Sequence, residues 1–408
     1  MQKLSTLKGS GGRIKSTADD FCVEEIQNGG VTLGIGIRHS SADLGLENPE
    51  NGKFSTFIME KRGWNTIQAL RTIAKSLKHG FKSVGFAGTK DKVSVSTQLC
   101  SIFGARPAEL MGLRIKDISI NGAWNSVSGV KLGDLLGNRF TIRIRDLERP
   151  DVIDGIKAEL NGAFPNYFGG QRFGARENNV SIGLSMMRGE FEDAVMSFLT
   201  ETKNETNEAA LQARTRLRDE RDFWEAAKYF PSYLKYERLM LEYLSQYPTA
   251  YSDALRRLPR QLLMMFVHSV EAYIFNAELE LRIINGETDA KENDRTCRAD
   301  KFGFPDLSSI DKAGYVDGAK LFPVANIVGF ESKTLTEYEV ELLDRLGISK
   351  EMFRIKRMPE LNVNGTFRVL FAPYLGFSSS VDGNDASLRF SLPAGSYATV
   401  LLDEFLAD

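Results

Sequence analysis

Apolar and polar residues alternate with a period of two in several stretches of the first 150 residues. Ile14-Lys15, a polar turn at 16–20, and residues 21–26 read as two short strands joined by that turn. Residues 31–38, 54–58, 113–120 and 139–145 read the same way, each bounded by Gly, Asn or polar clusters. In the last of these, Phe140, Ile142 and Ile144 fall on one face and Arg139, Thr141, Arg143 and Arg145 on the other. That pattern predicts a half-buried strand with a basic outer face. Between the strands the period changes once to 3.6. Asn65 stands at the N-cap of a helix whose stripe is Ile67, Leu70, Ile73, Ala74 and Leu77, with Arg71, Lys75 and Lys78 off that stripe and exposed.

From about residue 166 the pattern is different. A Gly/aromatic junction at 166–174 precedes helical spacing over 205–229, 233–245 and 261–284, broken at Pro248, Pro259 and the polar 285–300. Strand-like residues return at 366–371 and 387–391. A loop at 392–396 then leads, with Ser396 as N-cap, into a last helix over 397–405. Strand-rich ends around a helix-rich middle predict an α+β domain interrupted by an inserted helical one. There is no internal repeat and no low-complexity tract.

Length and composition agree with this reading. A chain of 408 residues, 42% hydrophobic and 26% charged, is expected to form a globular protein of two domains. Cys22, Cys100 and Cys297 are far apart, as are His39, His79 and His268, so neither a disulfide framework nor a metal site is expected. The start of the chain is polar, and no apolar run is long enough to span a bilayer, which predicts a cytoplasmic protein. The net charge of −2 conceals a local field. Residues 61–92 hold Lys61, Arg62, Arg71, Lys75, Lys78, Lys82, Lys90 and Lys92 against a single acid, Asp91. Acidic residues collect instead between 278 and 317. A basic run is either a solvated face or a phosphate-binding surface. Lys75, Lys78, Lys82 and Arg143 are the candidates for contacts with a nucleic-acid backbone.

That lone acid lies in Gly85-Phe86-Ala87-Gly88-Thr89-Lys90-Asp91-Lys92, with Val93 to Gln98 following as an alternating run. The stretch reads either as the polar tip of a hairpin or as a turn that displays a catalytic carboxylate. It is not a phosphate loop, because Thr89 separates the glycine from Lys90 and Asp91 replaces the hydroxyl that would hold magnesium. No nucleophile elbow, HExxH helix or EF-hand is present, and 382–385 is only an acidic turn. Lysines beside an aspartate keep it ionised, suited to act as nucleophile or base without a metal. Phe21, Phe140, Phe168, Phe173 and Phe390 are either core residues or stacking faces for an extruded base.

These residues resemble the TruD family of tRNA pseudouridine synthases, in its archaeal form, from about Arg13 to Phe405. The resemblance is carried by Ile14-Lys15 with Asp20-Phe21 and Val23 to Glu25; by Lys61, Asn65-Thr66 and Ala69-Leu70; by Phe86 to Lys92 with Gln98; by Leu136 to Phe140; by 166–174; and by Phe390 with Leu392 to Thr399. It implies an α+β fold in which a mixed, largely antiparallel sheet of pseudouridine synthase type, formed by 1–166 and 372–408, carries an inserted, helix-rich TRUD domain at 167–371. It implies Asp91 as catalytic aspartate with Lys15 as its basic partner. Phe21 and Phe390 would line the uracil pocket, Phe140 would lie against the base or the active-site wall, and Asn138 would orient the aspartate. Lys90, Gln171 and Arg172 are further substrate contacts, and 166–174 is the hinge into the insertion. Ser94 and Ser96 stand where the family more often has Ala and Thr. The implied reaction turns uridine into pseudouridine in tRNA, usually at position 13, with no cofactor, no metal and no obligate protein partner. Two other readings stay open at this point: an RNA-binding or chaperone module without chemistry, and a carboxylate-based nucleoside hydrolase using Glu24 or Glu25 as second acid.

Overall fold

The computed structural model describes residues 1–291, 294–310 and 320–407. Its first part runs β1 (Phe21–Ile26), β2 (Phe54–Arg62), α1 (Thr66–Ser76), β3 (Val84–Phe86), β4 (Val95–Phe103), α2 (Pro107–Met111), β5 (Ile118–Ser126), β6 (Gly137–Ile144), α3 (Ile153–Leu160) and β7 (Ala163–Pro165). A helix-rich middle follows: α4 (Asn179–Arg188), α5 (Phe191–Thr200), α6 (Glu208–Glu220), α7 (Phe223–Tyr229), α8 (Lys235–Leu244), α9 (Tyr251–Leu255) and α10 (Arg260–Ile284). After these come β8 (Thr296–Ala299), β9 (Pro305–Asp306), β10 (Leu321–Ile327), α11 (Glu337–Arg345) and β11 (Thr366–Val369). The chain ends with β12 (Phe371–Pro373), β13 (Leu375–Asp382), β14 (Asp385–Pro393) and α12 (Ala398–Leu406).

Strands from both ends of the chain form one sheet in the order β13-β14-β6-β1-β4-β2-β5, with β3 also on β4. The β1–β4 pair is parallel and the others are antiparallel, giving the mixed, largely antiparallel α+β architecture expected. β4 shares one edge between two partners: Val95 to Thr97 pair with β1, and Cys100 to Ile102 pair with β3. The 87–94 loop joining β3 to β4 is therefore carried to the start of β1. α1 covers one face of the sheet, its Ala69, Leu70 and Ile73 packing with Phe57, Met59, Cys100 and Ile102. Asn65 caps it, accepting from the Ile67 amide at 2.9 Å. β7 and β12 pair where the chain enters and leaves the middle segment. That segment has its own apolar core, built from α4, α5, α8 and α10.

Several expected elements differ. Residues 31–38 form no strand, because side chains satisfy part of their backbone: Ile35 and Gly36 amides donate to Glu24 and Glu60 carboxylates at 3.0 and 2.7 Å. The strand expected at 113–120 begins only at Ile118, after a turn in which Asp117 takes φ +60°. The 205–229 helix is two, broken at Arg221, whose φ of +51° ends α6. The middle segment also contains a four-stranded sheet, β11-β10-β8-β9, with Pro323 inside β10. Ser396 does not cap the last helix; its hydroxyl donates to Asn166 Oδ1 at 3.0 Å. The acidic run at 278–317 lies partly outside the described residues. Among the described residues no helix is long and apolar enough to cross a membrane.

Candidate active site

β1 and β4 run parallel with Cys22 opposite Val95, so the segments preceding them leave the sheet at the same end. Lys15 precedes Phe21 and Asp91 precedes Val95, and there the two side chains meet. Lys15 Nζ lies 2.5 Å from Asp91 Oδ2, and the same ammonium stands 4.3 Å above the Phe21 ring. Lys15 reaches this position with φ +59°, a left-handed conformation uncommon for a residue with a Cβ. The Asp91 side chain is 56% exposed, so its carboxylate is held from one side and open on the other.

Behind the carboxylate the loop is fixed at several atoms. Lys61, wholly buried, donates from Nζ to the Asp91 carbonyl at 2.8 Å, and the Ser94 hydroxyl donates to the same carbonyl at 2.7 Å. Burial pushes the Lys61 ammonium down to about 8, against the pull of the Asp91 carboxylate. The Lys90 amide donates to Thr66 Oγ1 at 2.9 Å, Thr66 donates to Gln98 Oε1 at 3.0 Å, and Gln98 Nε2 donates to the Gly88 carbonyl at 3.0 Å. Lys90 Nζ pairs at 3.1 Å not with Asp91 but with Glu25, a wholly buried carboxylate. Glu25 also accepts from the Leu99 amide and from Gln27, both at 3.0 Å. Gly85 serves a close approach rather than a turn, since a Cβ there would lie 2.2 Å from the Val130 carbonyl oxygen.

Asp91 opens into a cavity of about 860 Å³ between the sheet, the start of α12 and the 169–172 turn of the middle segment. Lys15, Phe21, Lys90, Asn138, Phe140, Gln171 and Arg172 all line it. Phe21 and Phe140 meet edge to face at 6.1 Å and supply its apolar wall. Asn138 Oδ1 is buried without a hydrogen-bond partner, and no hydrogen bond joins Asn138 to Asp91. Phe390 is placed differently: it is 1% exposed, stacked behind Phe140 at 5.6 Å, and does not line the cavity.

The arginines of β6 and Arg145 just after it are paired. Arg139 meets Glu24 at 2.7 Å, Arg143 meets Asp385 at 2.8 Å and Arg145 meets Asp20 at 2.7 Å. The Arg145 guanidinium holds the Asp20 carboxyl below its usual range. Lys75, Lys78 and Lys82 are exposed and have no carboxylate partner among the described residues. Among the described residues no three of His, Cys, Asp and Glu gather as a metal site would require.

Reading the sequence alone assigned no role to Lys61 and passed over Arg368. Lys61 had a visible sign, because it continues the inward-facing alternation of Phe57 and Met59 in β2. Arg368 had none. Its guanidinium donates to Asn166 O, Asn166 Oδ1 and Gly395 O at 3.0, 2.7 and 3.0 Å, tying the junction to the turn before α12.

Comparison with known proteins agrees along the whole chain. Residues 2–405 match the family model described as tRNA pseudouridine synthase D (TruD). A Methanosarcina acetivorans protein named as a probable tRNA pseudouridine synthase D is 33% identical over 98% of this chain and 93% of its own. A Methanopyrus kandleri protein of the same name is 34% identical over 87% of this chain and 86% of its own. The crystal structure of a Methanosarcina mazei protein described as a putative tRNA pseudouridine synthase D superposes with a TM-score of 0.80 at 32% identity, covering 100% of this chain and 96% of that one. The chain belongs to the tRNA pseudouridine synthase D family.

Proposed function

We propose that this protein isomerises uridine to pseudouridine in tRNA, with position 13 as the target and Asp91 as the catalytic group. The observation that carries the reading is a carboxylate paired with Lys15 at 2.5 Å and opening into a cavity walled by Phe21 and Phe140. The reaction breaks N1–C1′, forms C5–C1′, takes the proton from C5 and leaves one on N1. It is redox-neutral, and this reading requires no cofactor. An ionised aspartate acts at the ribose beside the scissile bond, as nucleophile or base, while the walls retain the released uracil during its turn. The uridine must leave its stack to enter, with Phe21 and Phe140 as the apolar faces that receive it. Asn138, with a buried and unpartnered Oδ1, is suited to an N–H of the base. Residues 1–166 and 372–408 form the catalytic unit in this reading, and 167–371 closes on the tRNA through Gln171 and Arg172.

The hydrolase reading lacks its second acid at both candidate positions. Glu24 is bound to Arg139 and the Ile35 amide, and Glu25 to Lys90, Gln27 and the Leu99 amide. Mapping pseudouridine at nucleotide resolution in unmodified tRNA treated with the protein tests the proposal. Conversion of uridine 13 is expected. Release of free uracil, or no modified nucleotide in any tRNA, would overturn it.

A further inference from the structure

A second cavity of about 660 Å³ adjoins the one that holds Asp91. Arg172, Ala394 and Ser396 line both, so a thin wall separates them. Two guanidiniums stand at that wall over one ring: Arg368 lies 4.3 Å and Arg172 5.5 Å from the Phe168 centroid. Neither has a carboxylate partner among the described residues. The Arg368 side chain donates only to the three neutral oxygens named above, and the Arg172 side chain makes no hydrogen bond among the described residues. Neighbouring guanidiniums without a carboxylate to neutralise them favour an anion, and the N–H groups not already donating to those oxygens match the oxygens of a phosphate.

Beyond the wall, the second cavity combines flat apolar surface with polar edges. Leu307 and Phe367 supply the first, and His268, Glu271 and Asn364 the second. His268 Nδ1 holds Glu271 Oε2 at 2.5 Å, leaving the other carboxylate oxygen as an acceptor for an N–H edge. Its volume is within the usual range for a small-molecule pocket of roughly 300–1,000 Å³. The geometry points to a second nucleotide site: Arg172 and Arg368 hold the phosphodiester that joins the target uridine to its neighbour in the RNA, and the second cavity takes that neighbour's base. This inference rests on the pseudouridine synthase reading of the Asp91 cavity.

The test uses the full-length protein and tRNA assembled with an abasic nucleotide on the 5′ or, separately, the 3′ side of uridine 13. Losing the base that enters the cavity is expected to lower kcat/KM about tenfold or more for one of the two RNAs. Asn364→Trp, which fills the cavity from an exposed position, is expected to lower turnover of intact tRNA similarly and to add nothing on the affected abasic RNA. If both abasic RNAs react as fast as intact tRNA, or if the two losses simply multiply, the inference is overturned. Uridine 5′-monophosphate is the probe for a free nucleotide. Its binding to wild type but not to Asn364→Trp, with both abasic RNAs fully active, would make the cavity a mononucleotide site instead and overturn the inference. Crosslinking needs no turnover. 4-Thiouridine placed beside uridine 13 is expected to crosslink to the peptide spanning residues 362–368, and crosslinks confined to other peptides would overturn the second site even if no pseudouridine forms. Absence of pseudouridine in intact tRNA, by contrast, would overturn the functional reading itself.

Discussion

Asp91 and Lys15 are 76 positions apart and meet through one backbone conformation as much as through their charges. Lys15 sits at φ +59°, where a Cβ costs on the order of 1 kcal/mol and glycine nothing. Lys15→Gly is therefore expected to leave stability within about 1 kcal/mol of wild type, because relieved strain offsets added freedom in the unfolded chain. The same change should lower kcat on the order of 10²-fold, the scale for losing one charged contact at a reacting centre. Equal activity, or a collapse in stability, would show that Lys15 shapes the fold rather than the chemistry. Lys61 makes a pH prediction. Its pKa falls from the ordinary lysine value of 10.5 to about 8 in the folded protein, so between those values the unfolded chain holds more protons. Stability contributed by this site therefore rises as pH climbs from about 8 to 10.5. Urea unfolding at about pH 7 and about pH 10 should show wild type gaining on Lys61→Met, and a constant gap would mean the ammonium is not perturbed. The sequence showed Asp91 as the lone acid of a basic run, but only family resemblance singled out Lys15. Spacing in the chain cannot show that two parallel strands start level, nor that Lys90 turns to the buried Glu25.

At the scale of elements, the site depends on β4 having two partners along one edge. β3 holds its second half and β1 its first, and the loop between β3 and β4 is thereby brought to Lys15. Gly85 lets β3 lie this close, since a Cβ would be 2.2 Å from Val130 O and 2.6 Å from Ser101 Oγ. Gly85→Ala is expected to destabilise by about 1–3 kcal/mol through overpacking and to lower activity as the loop shifts. A thermal melt and an initial-rate assay on the same preparation check it, and an unchanged rate would show that the loop is placed without β3. α1 was legible because five apolar residues follow one 3.6-residue stripe. β10 was not, because Pro323 argues against an inner strand; it stands just before the Val324–Ile327 stretch that pairs with β11, its carbonyl accepting from the Leu370 amide at 2.9 Å. Residues 31–38 misled in the other direction: their apolar pattern suits a strand, but Glu24 and Glu60 take amides a ladder would use. Hydrogen bonds from distant side chains leave no periodicity to read.

For the whole molecule, a net charge of −2 coexists with a basic surface on α1 and just beyond it. Lys75, Lys78 and Lys82 are exposed and unpaired among the described residues, whereas Arg143 is held by Asp385. Replacing the three lysines with glutamine is expected to flatten the plot of log affinity for tRNA against log salt by about 2–3 units if each meets one phosphate. Arg143→Gln should change that slope less, and equal slopes for the triple variant and wild type would make the α1 surface a solvated face. The start of the helix-rich middle segment was legible from the break at 166–174. The second cavity was not, because its walls come from six separated stretches, around residues 166–172, 268–271, 305–307, 327, 362–369 and 393–396. Everything proposed for this fold turns on Asp91 performing the chemistry inside a tRNA-binding cleft. Nucleotide-resolution mapping of tRNA treated with Asp91→Asn, alongside the variant's affinity for the same tRNA, addresses that directly. Pseudouridine is expected to fall by at least about 10⁴-fold while binding stays within reach of wild type. Pseudouridine formed by Asp91→Asn at the wild-type rate would mean that another group does the chemistry.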